Sequence, residues 1–311
     1  MSREVSDAPG KLCLQLPATS ANLGSGFDTA AVALDFYLKV EAEAADKFSI
    51  LASGLDANRC GRMEDNLVLD LYRRLLEESG RPVKPLAIRM DNEIPLGMGC
   101  GSSAAGRLAA IAMAVHFGGL EWDGERILAV ASELEGHPDN AAACWLGGFV
   151  ATGWEGDAVR VARVIPPEGW RAIVVLPTEP LATSKARAVL PASYSREDVV
   201  ANLQAVSMLG LAFAQGRGDL LRAAMADRLH QPYRASMCPL LPLLLPLAGT
   251  HGILGVALSG AGPAVLVITE EEGEMMQTCS AIGGALTDVH PPTLRICRFE
   301  SRGVVSDAGT G

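Results

Sequence analysis

No apolar run in this 311-residue chain approaches the roughly 20 residues of a membrane span, so the sequence predicts no membrane insertion. The stretch Pro239–Ala248 is apolar, but it is short and holds three prolines, which suits a buried, broken helix. The N-terminal segment is polar and acidic and lacks the pattern of a secretory signal. Cysteine is sparse and unpaired in sequence: Cys13, Cys60, Cys100, Cys144, Cys238, Cys279 and Cys297 include no C-x-x-C, and their number is odd. That spacing supports neither a zinc site nor a disulfide framework, and it predicts a reducing, cytoplasmic setting. Positive charge is also short. The formal net charge is −10, which argues against a general nucleic-acid binder. Repeats and low-complexity linkers are missing. With 49% hydrophobic and 20% charged residues, the chain reads as a compact soluble globule. Only residues 1–9 and 304–311 read as frayed tails.

What is present is a loop of alternating glycines, Pro95-Leu96-Gly97-Met98-Gly99-Cys100-Gly101-Ser102-Ser103-Ala104-Ala105-Gly106. Such glycines let a backbone turn its N–H groups toward an anion. Ser102 and Ser103 can cap the helix that follows, whose positive end then faces the same anion. The P-loop pattern fails, because no Lys follows Gly101 or Gly106. A relaxed dinucleotide fingerprint fits Gly99, Gly101 and Ala104 and stays open as an alternative. A plain connector before a close-packed helix also fits. Cys100 reads as a small filler.

The hydrophobic pattern predicts strands over 11–18, 34–44 and 86–90, with a turn-rich loop from Thr19 to Asp28. It predicts helices over 66–79 and 102–117, and one capped by Asp123 that ends near Glu135. A hairpin turns at Glu155-Gly156-Asp157. The second half predicts a strand over 171–177, helices over 196–215, 217–229 and 271–285, and strands over 255–261, 264–269 and 293–299. The class is α+β, with a boundary near 165–172 between domains 10–168 and 169–303.

Three further segments draw attention. Pro17-Ala-Thr-Ser-Ala-Asn-Leu-Gly-Ser-Gly-Phe-Asp28 is too polar and too long for a simple hairpin turn, and it offers Asn22 and Asp28. An ordinary Asx-rich turn is the competing reading. Glu133-Leu-Glu-Gly-His-Pro-Asp-Asn140 packs titratable groups directly after a helix, and its carboxylates suit Mg²⁺. Ser259-Gly-Ala-Gly-Pro263 alone reads as a β-turn.

In order and spacing, these four segments, with Leu146-Gly-Gly-Phe149, resemble the GHMP small-molecule kinases, and in particular their homoserine kinase branch. The resemblance spans about residues 11–300. It implies a ribosomal protein S5 domain 2-like first half and a ferredoxin-like second half. It implies transfer of the γ-phosphate of ATP to the hydroxyl of L-homoserine, feeding threonine synthesis. The loop from Pro95 to Ala105 would then bind ATP, with Asn66 at the adenosine, and Ser102 or Ser103 would hold Mg²⁺ with Glu135 or, alternatively, Glu133. Asn22, Asp28 and His137 would hold the amino acid, Asp28 on its ammonium, with Arg187 and Arg234 on its carboxylate. Thr183 would orient the γ-phosphate or the hydroxyl. Asp139 and Asn140 would be catalytic with Thr183, Asp139 accepting the hydroxyl proton or orienting a neighbour. A homodimer is also implied. Ser25 stands where a proline is more usual, and Met98 and Cys100 stand where Arg and Leu are. Neither change removes a part of the implied mechanism, because backbone donors remain. A kinase of another alcohol, such as mevalonate or a sugar, and a silent nucleotide-binding module are the other readings.

Overall fold

A computed structural model describes residues 10–270, 275–287 and 289–308. The first sheet holds β1 (Leu12–Asn22), β2 (Gly26–Ala44), β3 (Ser49–Gly54), β4 (Leu86–Asn92), β5 (Phe149–Glu155) and β6 (Ala158–Val164). The second holds β7 (Trp170–Leu176), β8 (Ile253–Leu258), β9 (Val265–Glu270) and β10 (Thr293–Cys297), in the order β10-β7-β9-β8. A last strand, β11 (Val305–Ala308), returns to the first sheet, whose order is β11-β1-β2-β4-β3, with β5 paired to β2 and β6. Among the described residues only β3 and β4 pair in parallel. The helices are α1 (Ala57–Cys60), α2 (Leu67–Glu78), α3 (Ser102–Gly118), α4 (Gly124–Glu135), α5 (Asp139–Leu146), α6 (Thr183–Ala188), α7 (Arg196–Gln215), α8 (Leu221–Ala224), α9 (Gln231–Arg234), α10 (Leu240–Leu244) and α11 (Met275–Ala285). Among the described residues no helix is long and apolar enough to cross a membrane.

The core follows from alternation along the strands. Ala172 and Val174 of β7 face a large cluster shared with β1, β2 and α3, and with Leu209 and Phe213 of α7. Ile173 and Val175 face the other way, onto Leu240, Leu241 and Leu244 of α10. Small residues let α3 lie close to α2, since a Cβ on Gly118 would sit 2.1 Å from Leu76 Cδ2. Asp123 caps α4 as expected, its Oδ1 accepting from Arg126 N at 2.8 Å.

Four expectations are corrected. The segment Thr19–Asp28 is no loop: β1 and β2 pair to Asn22↔Gly26 and turn tightly through Leu23–Ser25. Alternation hides this because Thr19, Ser20 and Asn22 are buried though polar, each bonded to a distant segment. The helix over 217–229 reduces to a 3₁₀ turn and α8. The Asp227 carboxylate accepts from the N–H groups of Leu229, His230 and Gln231, and so ties this stretch into a local turn. Tail residues Val305–Ala308 form an edge strand on β1 rather than fraying; residues 1–9 and 309–311 lie outside the described ones. Finally, the α3 N-cap is Gly101, at φ 73°, and no side chain caps it. Ser102 and Ser103 are its first helical residues, which frees their hydroxyls for other partners. Residues 271–274 of the predicted last helix also lie outside the described ones.

Candidate active site

The glycine loop joins β4 to α3 and is gripped from two sides. Thr19 N donates to Cys100 O at 3.1 Å, and Ala264 N donates to Met98 O at 3.3 Å. The Ser259 hydroxyl lies 2.8 Å from both Gly99 O and Ser20 Oγ, and Gly260 N donates to Ala21 O at 3.0 Å. Such closeness requires glycine. At Gly99 (φ +80°) a Cβ would sit 2.1 Å from Ser259 O, and at Gly101 (φ +73°) one would sit 1.9 Å from Thr19 Oγ1. With its carbonyls held by the protein, the loop can offer its amides, and the α3 N-terminus behind it, to an anion. Ser259–Pro263 is a turn, with Gly262 N bonded to Ser259 O at 2.9 Å, but it is also the outer wall of this loop.

Two cavities meet at Gly97, Ser102 and Ser103. The larger, about 430 Å³, runs between Met90 and Asn92 on β4 and Asn66, Leu67 and Val68 at the start of α2. Asn66 lines it, as the adenosine assignment implies, but its amide is fully engaged. It accepts from Val68 N and Leu69 N and donates to Cys60 O and Arg62 O. Pro95, Met98, Cys100, Ala104 and Ala105 line neither cavity, so they shape the loop from behind. Burial pushes the Cys100 thiol up to about 12, which keeps it inert.

The smaller cavity, about 160 Å³, gathers the acceptor residues from both halves of the chain. Asn22 and Asp28 come from the β1–β2 turn, Glu135, His137, Asp139 and Asn140 from the α4–α5 connection, and Thr183, Arg187 and Arg234 from α6 and α9. Glu133 is exposed and is not among the lining residues, whereas Glu135 is. Asn22 bridges the turn, donating to Gly260 O at 2.8 Å and accepting from Asp28 N at 2.9 Å. Asn140 Oδ1 accepts from Thr19 Oγ1 at 2.6 Å.

The charges in this cavity are arranged in pairs, with one exception. Arg187 forks onto Asp28 at 2.6 and 3.1 Å, so two groups assigned to opposite ends of a substrate engage each other here. His137 Nδ1 lies 2.6 Å from Asp139 Oδ1, which also accepts from Asn140 N at 2.6 Å. Burial opposes the His137 imidazolium, but the bond to Asp139 and the charges of Asp139 and Asp28 outweigh it and raise the group above its ordinary range. The other Asp139 oxygen, Oδ2, is buried and has no hydrogen-bond partner among the described residues. Asp28, His137 and Asp139 bring ligand atoms within 4.8 Å of one another. Arg234 is the exception. It is only 1% exposed, and among the described residues no carboxylate pairs with it. Its Nε donates to Ala186 O at 3.0 Å and its Nη1 lies 3.1 Å from His230 Nδ1. Burial and the neighbouring Arg187 depress its basicity.

Several side chains around the cavities are not singled out by the sequence reading. Burial lowers His230 against the pull of Asp227. Its Nδ1 then accepts from Arg234, and its Nε2–H donates to Gly24 O at 2.9 Å. Phe27 stacks on His230 at 5.1 Å, with the Arg187 and Arg234 guanidinium groups over its ring. Arg107 bonds Ser103 Oγ and Glu135 Oε1. Its i+4 spacing from Ser103 on α3 was the available signal.

Comparison with known proteins agrees with this geometry. Residues 66–148 match the GHMP kinases N terminal domain, and residues 211–282 match the GHMP kinases C terminal. The chain is 43% identical to the homoserine kinase of Solibacter usitatus, over 83% of this chain and 84% of that protein. It is 39% identical to the homoserine kinase of Thermus thermophilus, covering 87% and 92%. Among solved structures, homoserine kinase from Cytophaga hutchinsonii shares the fold at a TM-score of 0.80 and 24% identity, over 99% of both chains. A mevalonate diphosphate decarboxylase from Enterococcus faecalis shares it at 0.66 and 14%, over 97% of this chain and 100% of the other. Both halves and the relatives that span most of its length agree: the chain belongs to the GHMP kinases and, within them, to the homoserine kinase family.

Proposed function

We propose that this chain transfers the γ-phosphoryl group of ATP to the side-chain hydroxyl of L-homoserine, giving O-phospho-L-homoserine for threonine synthesis. The larger cavity takes the nucleoside, the glycine loop its phosphates, and the smaller cavity the acceptor. The observation that carries the acceptor assignment is Arg234: a buried guanidinium with no carboxylate of its own, at the wall of a small polar cavity. A buried unpaired cation is costly, and a substrate carboxylate relieves it. An uncharged sugar would not. Asn22, Asp28, His137 and Arg187 complete the amino-acid pocket, and Thr183 orients the transferred group or the hydroxyl.

Asp139 Oδ2 is the acceptor for the substrate hydroxyl proton, since it is buried, unpartnered and in the same cavity. Phosphoryl transfer is mostly positioning and charge stabilisation, so this oxygen need only orient and receive. Asn140 holds the carboxylate in place by donating its backbone N–H to the other oxygen, Oδ1, at 2.6 Å. Mg²⁺ fits the donor set: Ser102 and Ser103 supply hard oxygens where the two cavities join, and Glu135 adds a carboxylate from the wall of the smaller one. Bound there, the ion would neutralise charge on the ATP phosphates. We place the enzyme in the cytoplasm as a homodimer, with its two domains meeting near residues 168 and 169.

The test is ADP release with Mg-ATP and a panel of L-homoserine, L-threonine, L-serine, shikimate, mevalonate and galactose. Turnover is expected with L-homoserine and lost in Arg234→Ala. Turnover with mevalonate or galactose instead would overturn the acceptor assignment, and silence with intact ATP binding would favour a nucleotide-binding module.

A further inference from the structure

Arg107 lies on α3 one turn beyond Ser103, and its guanidinium donates to both the Ser103 hydroxyl and the Glu135 carboxylate. The Glu135 side chain is 9% exposed and that of Arg107 23%. A carboxylate so withdrawn from water needs a cation. Arg107 therefore joins two of the oxygens assigned above to Mg²⁺. It also lines a third cavity of about 440 Å³, beside α2, whose wall includes Asp65 and Asp70. Both aspartates are exposed, and among the described residues neither has an ion-pair partner.

We propose that Arg107 is the resident cation of the Ser103–Glu135 pair, and that a divalent cation entering with the nucleotide displaces it toward Asp65 and Asp70. The inference rests on the Mg²⁺ assignment made under the proposed function. Cation binding is then an exchange. The incoming ion has to replace an existing charge-assisted pair, and the two aspartates reduce the cost by receiving the guanidinium. Without nucleotide the pair stays neutral and has little hold on free divalent ions. Metal delivered together with phosphate oxygens has more ligands and wins.

Mn²⁺ titrated into the full-length protein, with and without ADP, tests this by electron paramagnetic resonance of the free ion. Arg107→Met is expected to bind Mn²⁺ about tenfold tighter without nucleotide, the scale of one charge-assisted hydrogen bond. Arg107→Gln keeps a donor for Ser103 without the charge and is expected to show the same gain, which guards against a packing defect in the Met variant. Adding Glu135→Gln should abolish the gain, and Asp65→Asn with Asp70→Asn should weaken Mn²⁺ binding in the otherwise native chain. If Glu135→Gln weakens Mn²⁺ binding but neither Arg107 variant tightens it, the displacement is wrong and the metal assignment stands. If Glu135→Gln leaves Mn²⁺ affinity unchanged with ADP bound, the metal assignment falls and the displacement with it.

Discussion

The phosphate loop and the acceptor cavity share five residues, Gly97, Gly99, Gly101, Ser102 and Ser103, and are built by opposite means. The loop is backbone. Its glycines are fixed by what lies against them, the Thr19 hydroxyl and the Ser259 carbonyl. The cavity is side chain. Its carboxylates and guanidinium groups come from widely separated segments, and most are satisfied by one another. A site made of backbone tolerates little change in shape, whereas a site made of paired charges tolerates little change in charge.

The largest effect should come from charge. Asp139→Asn is expected to lose more than about 100-fold in turnover while keeping ATP affinity, as removal of a proton acceptor would. Near-normal turnover would reduce Asp139 to holding His137 and Asn140 in place. Shape comes next. Gly99→Ala forces a Cβ to within 2.1 Å of the Ser259 carbonyl at a φ of +80°. Such strain costs about 1–3 kcal/mol, so a non-hydrolysable ATP analogue should bind roughly 10–100-fold more weakly by calorimetry. Unchanged affinity would mean the loop can move off Ser259, and the contrast between the two regions would weaken.

The smallest effect concerns the network behind the cavity. His230 is buried with its basicity lowered, so the unfolded chain, near the ordinary value of 6.5, takes up a proton that the folded chain resists. Stability from this group is therefore lost as pH falls below the unfolded value, by up to about 1.4 kcal/mol per pH unit. His137 is raised and acts with the opposite sign, so the comparison must be made by variant. Urea unfolding of His230→Gln should show a shallower loss of stability below the unfolded value than the native chain. A parallel loss in both would mean that His230 is already protonated in the fold.

The backbone part of the molecule was the more legible in sequence. Glycines at Gly97, Gly99 and Gly101, the cap at Asp123 and the turn at Glu155–Asp157 each answer a local need, and each is where it was expected. The β1–β2 turn was misread because Thr19, Ser20 and Asn22 are polar residues buried by partners near residues 140 and 260. No window of neighbouring residues contains that information. The same holds for Phe27 and His230, which meet only once distant segments of the chain come together. The motifs located Asp28, Arg187 and Arg234, but not that Asp28 and Arg187 fork together while Arg234 stays without a carboxylate.

That fork sets a rule of exchange at the acceptor site. A ligand carrying both an ammonium and a carboxylate can take one partner from each side and leave no charge stranded. A monocation can take only Asp28 and leaves Arg187 without its partner, and a monoanion that enters at Arg187 rather than Arg234 strands Asp28 in the same way. The pocket thus holds an internal imitation of a zwitterion, and under the proposed function discrimination against a monocation would lie in what must be displaced rather than in any added contact.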